Sequence, residues 1–289
     1  MCFRLLVLAL LLFRNLAALG QASYSGTIGT LPVEMVIAAD GDGDARATYV
    51  YTKFDTPIPL SGRLRSGTLV LTEKNSLGNP AANLTLTAFS ATAKTASGQW
   101  KSLATGQTLP LVLTQQFTVA SDETGTSYRE LLQATSLKNG YFKAVLASAE
   151  SISAIKLFEK KTDRLLQTFP VGCQLWGLDN VSVGDFNFDG FPDFAVFEQG
   201  YAGPNTSSLY FLYNPATKRY LKSSYSGVSL EFDAKAKRIY ETNSCCAGSS
   251  VQKFVYRVAN NRMVLVAQHC YKWDEKKQEL VERKLSACQ

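Results

Sequence analysis

The chain has 289 residues, a formal net charge of +6, 46% hydrophobic residues and 19% charged residues. This composition is that of a globular protein with a full-sized core, which excludes a disordered chain or a coiled coil. The only long apolar run lies at the N-terminus, which excludes a polytopic membrane protein. A single histidine leaves little room for chemistry that needs two imidazoles.

Residues 1–22 have the pattern of a secretory signal peptide. Arg4 is followed by nine apolar residues, 5–13, and small residues then lead to a cleavage site after Ala22. This run is too short to span a bilayer. We therefore expect a periplasmic or secreted protein that has no membrane span after signal cleavage.

Residues 23–116 alternate apolar and polar side chains in short segments, which predicts antiparallel strands with one buried face. Turn-forming residues, such as those at 41–44 and 78–80, separate these segments, and no stretch holds a helical period. We expect a small antiparallel barrel or sandwich. The clearest strand segments are residues 33–38, 47–54, 67–73 and 83–89.

Residues 117–140 are the predicted linker between two domains. Polar and charged residues dominate this segment, and residues 130–134 read Glu-Leu-Leu-Gln-Ala. A short helix or a meandering connection fits this pattern.

Residues 141–289 contain repeated pairs of apolar segments joined by polar turns, which predicts β-hairpins. Their spacing is loose, so we predict a meandering or propeller-like antiparallel assembly. The fold class is therefore all-β, with two antiparallel domains. The lysines and arginines of the hairpins form no basic stripe, which argues against nucleic acid as a partner. The turns centre on residues 162–163, 215–216, 233–234, 260–261 and 274–275.

Residues 185–193 have oxygen-bearing side chains at positions 1, 3, 5 and 9 and a glycine at position 6, which is the spacing of a calcium loop. Calcium prefers about six to eight oxygen ligands, so the chain must curl to direct alternate side chains at one ion. Gly190 permits the sharp turn, and the carbonyl of Phe191 supplies a backbone oxygen. We predict that Ca²⁺ is held by Asp185, Asn187, Asp189, Phe191 and Asp193.

This loop differs from an EF-hand. Position 12 is Val196, where an EF-hand has a bidentate glutamate, and the following residues alternate like a strand. We predict a strand, the acidic loop and a second strand, with Phe186 and Phe188 packed into the core. The alternative is a metal-free turn rich in Asp, Asn and Gly. A calcium ion held here would act as a structural clip.

The segment 185–220 resembles calcium-loop repeats of the FG-GAP kind. Together with the hairpins that follow, residues 140–289 are similar to a family of bacterial periplasmic immunity proteins. Those proteins act against peptidoglycan-cleaving effectors of antibacterial type IV secretion systems and resemble lysozyme inhibitors. The matching features are the DxNxDGxxD loop, the Gly-rich loop at 200–205 and the LYNPATKRY hairpin. Residues 23–116 resemble a companion β domain of exported bacterial proteins.

This resemblance implies a protein partner, a peptidoglycan hydrolase effector. It also implies that an exposed tyrosine near the calcium site enters the active cleft of the partner, and Tyr201 is the candidate by position. An aromatic side chain between glycines makes a rigid anchor. The alternative is an ordinary loop tyrosine that lies on the sheet.

Five cysteines remain after signal cleavage, and an oxidising compartment favours disulfides between them. A bond from one of the neighbouring pair Cys245 and Cys246 to Cys270 is plausible, as is a bond between Cys173 and Cys288. The odd count leaves one free or intermolecular thiol, and the sequence does not determine the connectivity.

The sequence predicts a protein that is not an enzyme. It has no GxSxG, HExxH or phosphate-binding glycine motif. His269 and Cys270 are neighbours on a predicted strand, so their side chains point to opposite faces. The sequence does not exclude a glycosidase-like pair of catalytic carboxylates, for example Glu198 and Asp179, because such a pair is assembled only in the folded structure.

We therefore expect a calcium-binding periplasmic inhibitor of a peptidoglycan hydrolase, in which calcium orders the inhibitory face. The alternative is a calcium-stabilised extracellular adhesion or glycan-binding module. A secreted hydrolase is the third interpretation.

Overall fold

A computed structural model describes residues 20–119, 129–201 and 203–288. The predicted signal peptide lies almost entirely outside these residues. The described chain forms 21 strands and three short 3₁₀ turns, and its sheets are built from antiparallel neighbours. The predicted all-β fold is confirmed. The 3₁₀ turns are Gly177–Asp179, Cys246–Gly248 and Leu285–Cys288.

None of the helical turns in the described part of the chain is long and apolar enough to cross a membrane.

The first eight strands form a closed antiparallel barrel, in which each strand pairs with its neighbour in sequence and β8 returns to β1. Gly62 and Gly98 lie where strands approach closely, because a Cβ atom at either would be 1.8 Å from a carbonyl oxygen of the adjacent strand. The strands are β1 Ala22–Ile28, β2 Leu31–Ala39, β3 Asp44–Tyr51, β4 Ile58–Arg65, β5 Thr68–Lys74, β6 Pro80–Thr87, β7 Thr95–Ser102 and β8 Thr108–Thr118.

The barrel is filled by the inward-facing side chains of its alternating strands. Tyr24, Met35, Leu71 and Leu84 belong to this core and are fully buried. Val36, next to Met35 on β2, points outward, because successive strand residues face opposite sides. The period-two pattern of the sequence therefore determined which side chains of these strands fill the barrel.

The remaining strands form three antiparallel sheets in chain order, which we call sheets I, II and III. Sheet I contains β9 Glu130–Ser136, β10 Gly140–Leu146, β11 Ser151–Glu159 and β12 Leu165–Gln174. Sheet II contains β13 Val181–Gly184, β14 Asp193–Gly200, β15 Thr206–Asn214 and β16 Arg219–Lys222. Sheet III contains β17 Leu230–Asp233, β18 Arg238–Cys245, β19 Ser250–Ala259, β20 Arg262–Asp274 and β21 Glu279–Arg283.

Sheet II is packed on both faces. Phe194 of β14 faces sheet I, where its ring lies 5.0 Å from Phe142 and 4.9 Å from Phe169 between centroids. Ala195, the next residue, belongs with Tyr210 to the core shared with sheet III. This arrangement explains why β14 begins with four buried residues in succession.

We expected a short helix or a linker at residues 117–140, and this expectation is wrong for the second part of the segment. Residues 130–136 form β9, which pairs with β10 in sheet I. Leu131, Leu132 and Gln133 are all fully buried. These residues lie between two layers, so they lack the polar face that would have distinguished a strand from a linker in the sequence.

Sheet I packs against the outside of the barrel. Val36 and Val50 of the barrel form one buried cluster with Leu131 and Leu132 of β9. An ion pair at the edge of this contact joins Lys143 Nζ to Glu34 Oε2 at 2.7 Å.

Candidate functional site

The acidic loop connects β13 to β14, as the sequence predicted. Both flanking segments are strands, which confirms that the loop is not part of an EF-hand. Phe188 and Gly190 have positive φ angles of 63° and 89°, which give the loop its sharp curl. Phe186 and Phe188 pack toward Phe232 of sheet III, with ring centroids 4.7 Å and 6.4 Å away.

The side-chain oxygens of the loop accept hydrogen bonds from its own backbone. Asp185 accepts from the N–H groups of Asp189 at 3.0 Å and Gly190 at 2.8 Å. Asp189 Oδ1 accepts from Phe191 N at 2.9 Å, and Asp189 Oδ2 accepts from Asn187 Nδ2 at 2.8 Å. These bonds stabilise the curled conformation of the loop.

Asp193 is the buried member of the loop. It is fully inaccessible to solvent and accepts hydrogen bonds from Phe186 N at 2.9 Å and Tyr213 N at 2.8 Å. Burial raises the pKa of Asp193 to about 6, against the opposing effect of these two hydrogen bonds, and the charges of Asp189 and Asp185 add to the rise. A nearby cation would favour its charged form.

Asn261 contacts the loop from sheet III, a contact that the sequence did not reveal. Asn187 Nδ2 donates to Asn261 Oδ1 at 3.1 Å. Asn260 and Asn261 both have positive φ angles in the tight turn between β19 and β20. The Asn-Asn pair predicted this turn, but not its position beside a loop about seventy residues earlier.

The loop has the oxygen donors that calcium prefers. Within the described ranges, no group of three or more Asp, Glu, His or Cys side chains is placed to hold a metal ion. The oxygens of Asp185 and Asp189 are directed to backbone N–H groups instead. A bound calcium ion would compete with these N–H groups for the carboxylate oxygens.

Tyr201 does not lie near the acidic loop, contrary to the expectation from the family resemblance. Asp193 begins β14, and Gly200 ends it. At a rise of about 3.3 Å per residue, these ends are about 23 Å apart. An ion in the acidic loop therefore cannot contact Tyr201 or order its loop directly.

Tyr201 is instead held by a separate set of hydrogen bonds. Its side chain is 46% exposed, and its hydroxyl accepts from Gln199 Nε2 at 2.8 Å. Its backbone N–H donates to Asn205 O at 2.9 Å. Asn205 is clamped to β18, since Asn205 Nδ2 donates to Ser244 O at 2.8 Å and Ser244 N donates to Asn205 Oδ1 at 3.0 Å.

Trp176 lies at the same end of the sheets as Tyr201. Gly200 N donates to Gln174 Oε1 at 3.0 Å, which connects the end of β14 to the end of β12. Trp176 follows β12, is 61% exposed and packs on Phe197 with ring centroids 4.7 Å apart. Two exposed aromatic side chains therefore occupy this end of the molecule.

The disulfide expectation is wrong in both pairings. Cys270 is bonded to Cys288, with Cα atoms 5.8 Å apart, while Cys173, Cys245 and Cys246 are free. The 3₁₀ turn at the C-terminal end brings Cys288 back to β20. Cys173 is buried in the core between sheets I and II, away from the other cysteines that the structure describes.

Two residues that we considered for catalysis have other partners. His269 Nδ1 lies 2.7 Å from Glu282 Oε1 on β21, and its neighbour Cys270 is in the disulfide. Asp179 forms an ion pair with Arg46 of the barrel.

Residues 179–212 match the family described as FG-GAP repeat. The match covers β13, the acidic loop, β14 and most of β15. A comparison with curated proteins found no match.

Two solved structures have a low level of similarity. A Xanthomonas Type IV Secretion System related protein is 12% identical, with a TM-score of 0.26, and the alignment covers 90% of this chain and 99% of that chain. The β-propeller domain of the Trilobed protease from Pyrococcus furiosus, which has an open velcro topology, is 10% identical, with a TM-score of 0.27 over 90% of this chain and 84% of that chain. Such TM-scores support no inference about function.

Proposed function

We propose that this protein is an exported binding protein that inhibits a peptidoglycan-cleaving enzyme by presenting Tyr201 to its active cleft. The observation that supports this is the rigid display of a half-exposed tyrosine on the Asn205 clamp. An aromatic side chain that is already fixed in the free protein loses little conformational entropy on binding. Exposed Tyr and Trp residues also contribute disproportionately to the affinity of protein interfaces.

We further propose that the acidic loop binds Ca²⁺ as a structural clip. The DxNxDGxxD spacing, the positive φ of Gly190 and the buried carboxylate of Asp193 support this proposal. The ion would connect the β13–β14 loop more firmly to sheets II and III. Its distance from Tyr201 means that the clip and the inhibitory loop are separate parts of the molecule.

Inhibition of cell-wall hydrolysis tests the first proposal. The mature protein should slow peptidoglycan cleavage by a lysozyme-type hydrolase, and Tyr201→Ala should weaken this effect at least about tenfold. Tyr240→Ala is the matched control, because Tyr240 is an exposed tyrosine of 37% accessibility on β18. Equal inhibition by the wild type and Tyr201→Ala would contradict the role of Tyr201, and cleavage of peptidoglycan by the protein itself would favour a hydrolase.

A glycan-binding or adhesion module is the second candidate, and Trp176 is the observation that favours it. Its indole is largely exposed and supported from below by Phe197, an arrangement that could stack on a sugar ring. Binding on a glycan array that Trp176→Ala abolishes, without any inhibition of a hydrolase, would select this function over the first.

A further inference from the structure

A groove of about 610 Å³ lies between the ends of sheets I and II. Its size falls within the range of ligand pockets. The hairpin turn between β9 and β10 forms one wall, and the turn between β15 and β16 forms the other. The groove lies at the acidic-loop end of sheet II, because Phe191 of that loop lines it. It is therefore distinct from the Tyr201 surface at the opposite end of β14.

The floor of this groove is apolar and accessible. Phe191 and Leu166 are 41% and 36% exposed, although both are large hydrophobic residues. Phe191 packs beside Tyr213, with ring centroids 5.7 Å apart, so the aromatic part of the floor is ordered. Burying this exposed apolar surface would favour association with an apolar group.

The rim of the groove is cationic. Lys138 is on the β9–β10 turn, and Lys218 and Arg219 are on the β15–β16 side. None of the three makes an ion pair or a side-chain hydrogen bond with any residue that the structure describes. No Asp or Glu is among the described residues that line the groove.

We propose that this groove binds an acidic segment of a protein partner that carries a hydrophobic side chain. The carboxylates would pair with Lys138 on one wall and with Lys218 and Arg219 on the other, and the apolar side chain would rest on Phe191 and Leu166. A ligand that reaches both walls must extend across the groove, which suits a peptide segment. Three cations around an aromatic floor do not provide the continuous row of positive charges that a nucleic acid backbone requires.

Fluorescence anisotropy with the mature full-length protein tests this proposal. The probe is a labelled peptide of alternating glutamate and leucine residues, and its binding should weaken as salt is added. The Lys138→Glu/Lys218→Glu variant should bind it at least about tenfold more weakly. The matched control is Lys235→Glu/Lys237→Glu, which reverses two exposed lysines on the β17–β18 turn and should leave binding unchanged.

Three further probes identify the ligand chemistry. Peptides with glutamine in place of glutamate, or with serine in place of leucine, should both bind weakly, and Leu166→Ser should weaken binding of the original peptide. The proposal would be overturned if both double variants lost the same affinity for the original peptide, or if the glutamine peptide bound as tightly as the original one. It would also be overturned if the original peptide did not bind. Tighter binding of a single-stranded oligonucleotide would overturn it in favour of a polyanion site. Tyr201→Ala should bind the peptide normally, so this result is independent of the proposed inhibitory function.

Discussion

Burial distinguishes the three free thiols in the described part of the chain. Cys173 is 3% exposed, and burial raises the pKa of its thiol to about 11. Cys245 and Cys246 are exposed neighbours at the end of β18. A hydrogen bond with Cys246 raises the pKa of Cys245, but solvent still reaches both sulfur atoms.

We expect iodoacetamide to label Cys245 and Cys246 in the native protein and to leave Cys173 unmodified, because only a solvent-accessible thiolate reacts. Peptide mass mapping under non-reducing conditions measures this and also detects the bond between Cys270 and Cys288. Denaturant should expose Cys173 to labelling, which is the control. Rapid native labelling of Cys173 would show that the core between sheets I and II is not packed as described.

Asp55 is a buried carboxylate at the contact between the barrel and sheet I. It is 2% exposed, and Asp55 Oδ2 accepts from Lys161 N at 2.8 Å. Burial raises its pKa, and the charge of Asp163 adds to the rise. The folded state therefore holds a proton on Asp55 more tightly than the unfolded state does. Its contribution to stability is present at low pH and is lost as the pH rises through the raised pKa.

We expect Asp55→Asn to be at least as stable as the wild type at pH 7, because the neutral amide removes the buried charge and can still accept from Lys161 N. Asp55→Ala should lose about 1–2 kcal/mol, because it removes this acceptor. Urea denaturation at pH 7 and below about pH 4 measures both effects. The stability difference between Asp55→Asn and the wild type should shrink at the lower pH, and a pH-independent difference would contradict the assignment. Asp42→Asn, at an exposed turn, is the control.

The acidic loop is an element stabilised by its own hydrogen bonds, with or without a cation. Asp185, Asn187 and Asp189 direct oxygens toward the N–H groups of the loop, and Asp193 anchors it to β15. Calcium would replace some of these bonds with metal–oxygen contacts. The effect of the metal on stability can therefore be separated from the effect of the loop itself.

We expect Asp189→Ala to lower the melting temperature by about 2–4 °C without calcium, since it removes the acceptor for Phe191 N. Added calcium should raise the melting temperature of the wild type and leave that of the variant unchanged. Differential scanning fluorimetry with calcium or a chelator measures both. Asp42→Ala should respond to calcium as the wild type does, and equal melting of the wild type in calcium and chelator would refute the metal site.

The barrel and sheet I share one hydrophobic cluster, which couples two parts of the molecule. Val36 and Val50 project from the outer face of the barrel onto Leu131 and Leu132 of β9. Lys143 and Glu34 add a partly buried ion pair, with side chains that are 17% and 23% exposed. Because the contact is continuous, we expect these two parts to unfold together.

We expect Leu132→Ala to lower the free energy of unfolding by about 2–5 kcal/mol, since it leaves a cavity at a fully buried position. Calorimetry should show one transition for the wild type and two separate transitions for the variant. Leu77→Ala, at a side chain that is 82% exposed, should change neither the stability nor the number of transitions. Two transitions in the wild type would show that the shared cluster does not couple the parts.

The sequence by itself determined the strands, their turns and the curl of the acidic loop. These features depend on neighbouring residues: alternation sets the buried face of a strand, and residues such as Gly190 and Asn261 adopt positive φ angles at the turns. The resemblance to FG-GAP repeats follows from the same local pattern. The sequence was less informative at 130–136, because a strand that is buried between two layers has no alternating pattern.

Only the tertiary structure decided which residues meet across sheets. It separated Tyr201 from the acidic loop, because an extended strand places its two ends far apart. It paired Cys270 with Cys288 and brought Asn261 beside Asn187. It also assembled the cationic groove from two hairpin turns about eighty residues apart. Sheet stacking sets such contacts through the burial of whole faces, and no local pattern of residues records which face packs on which.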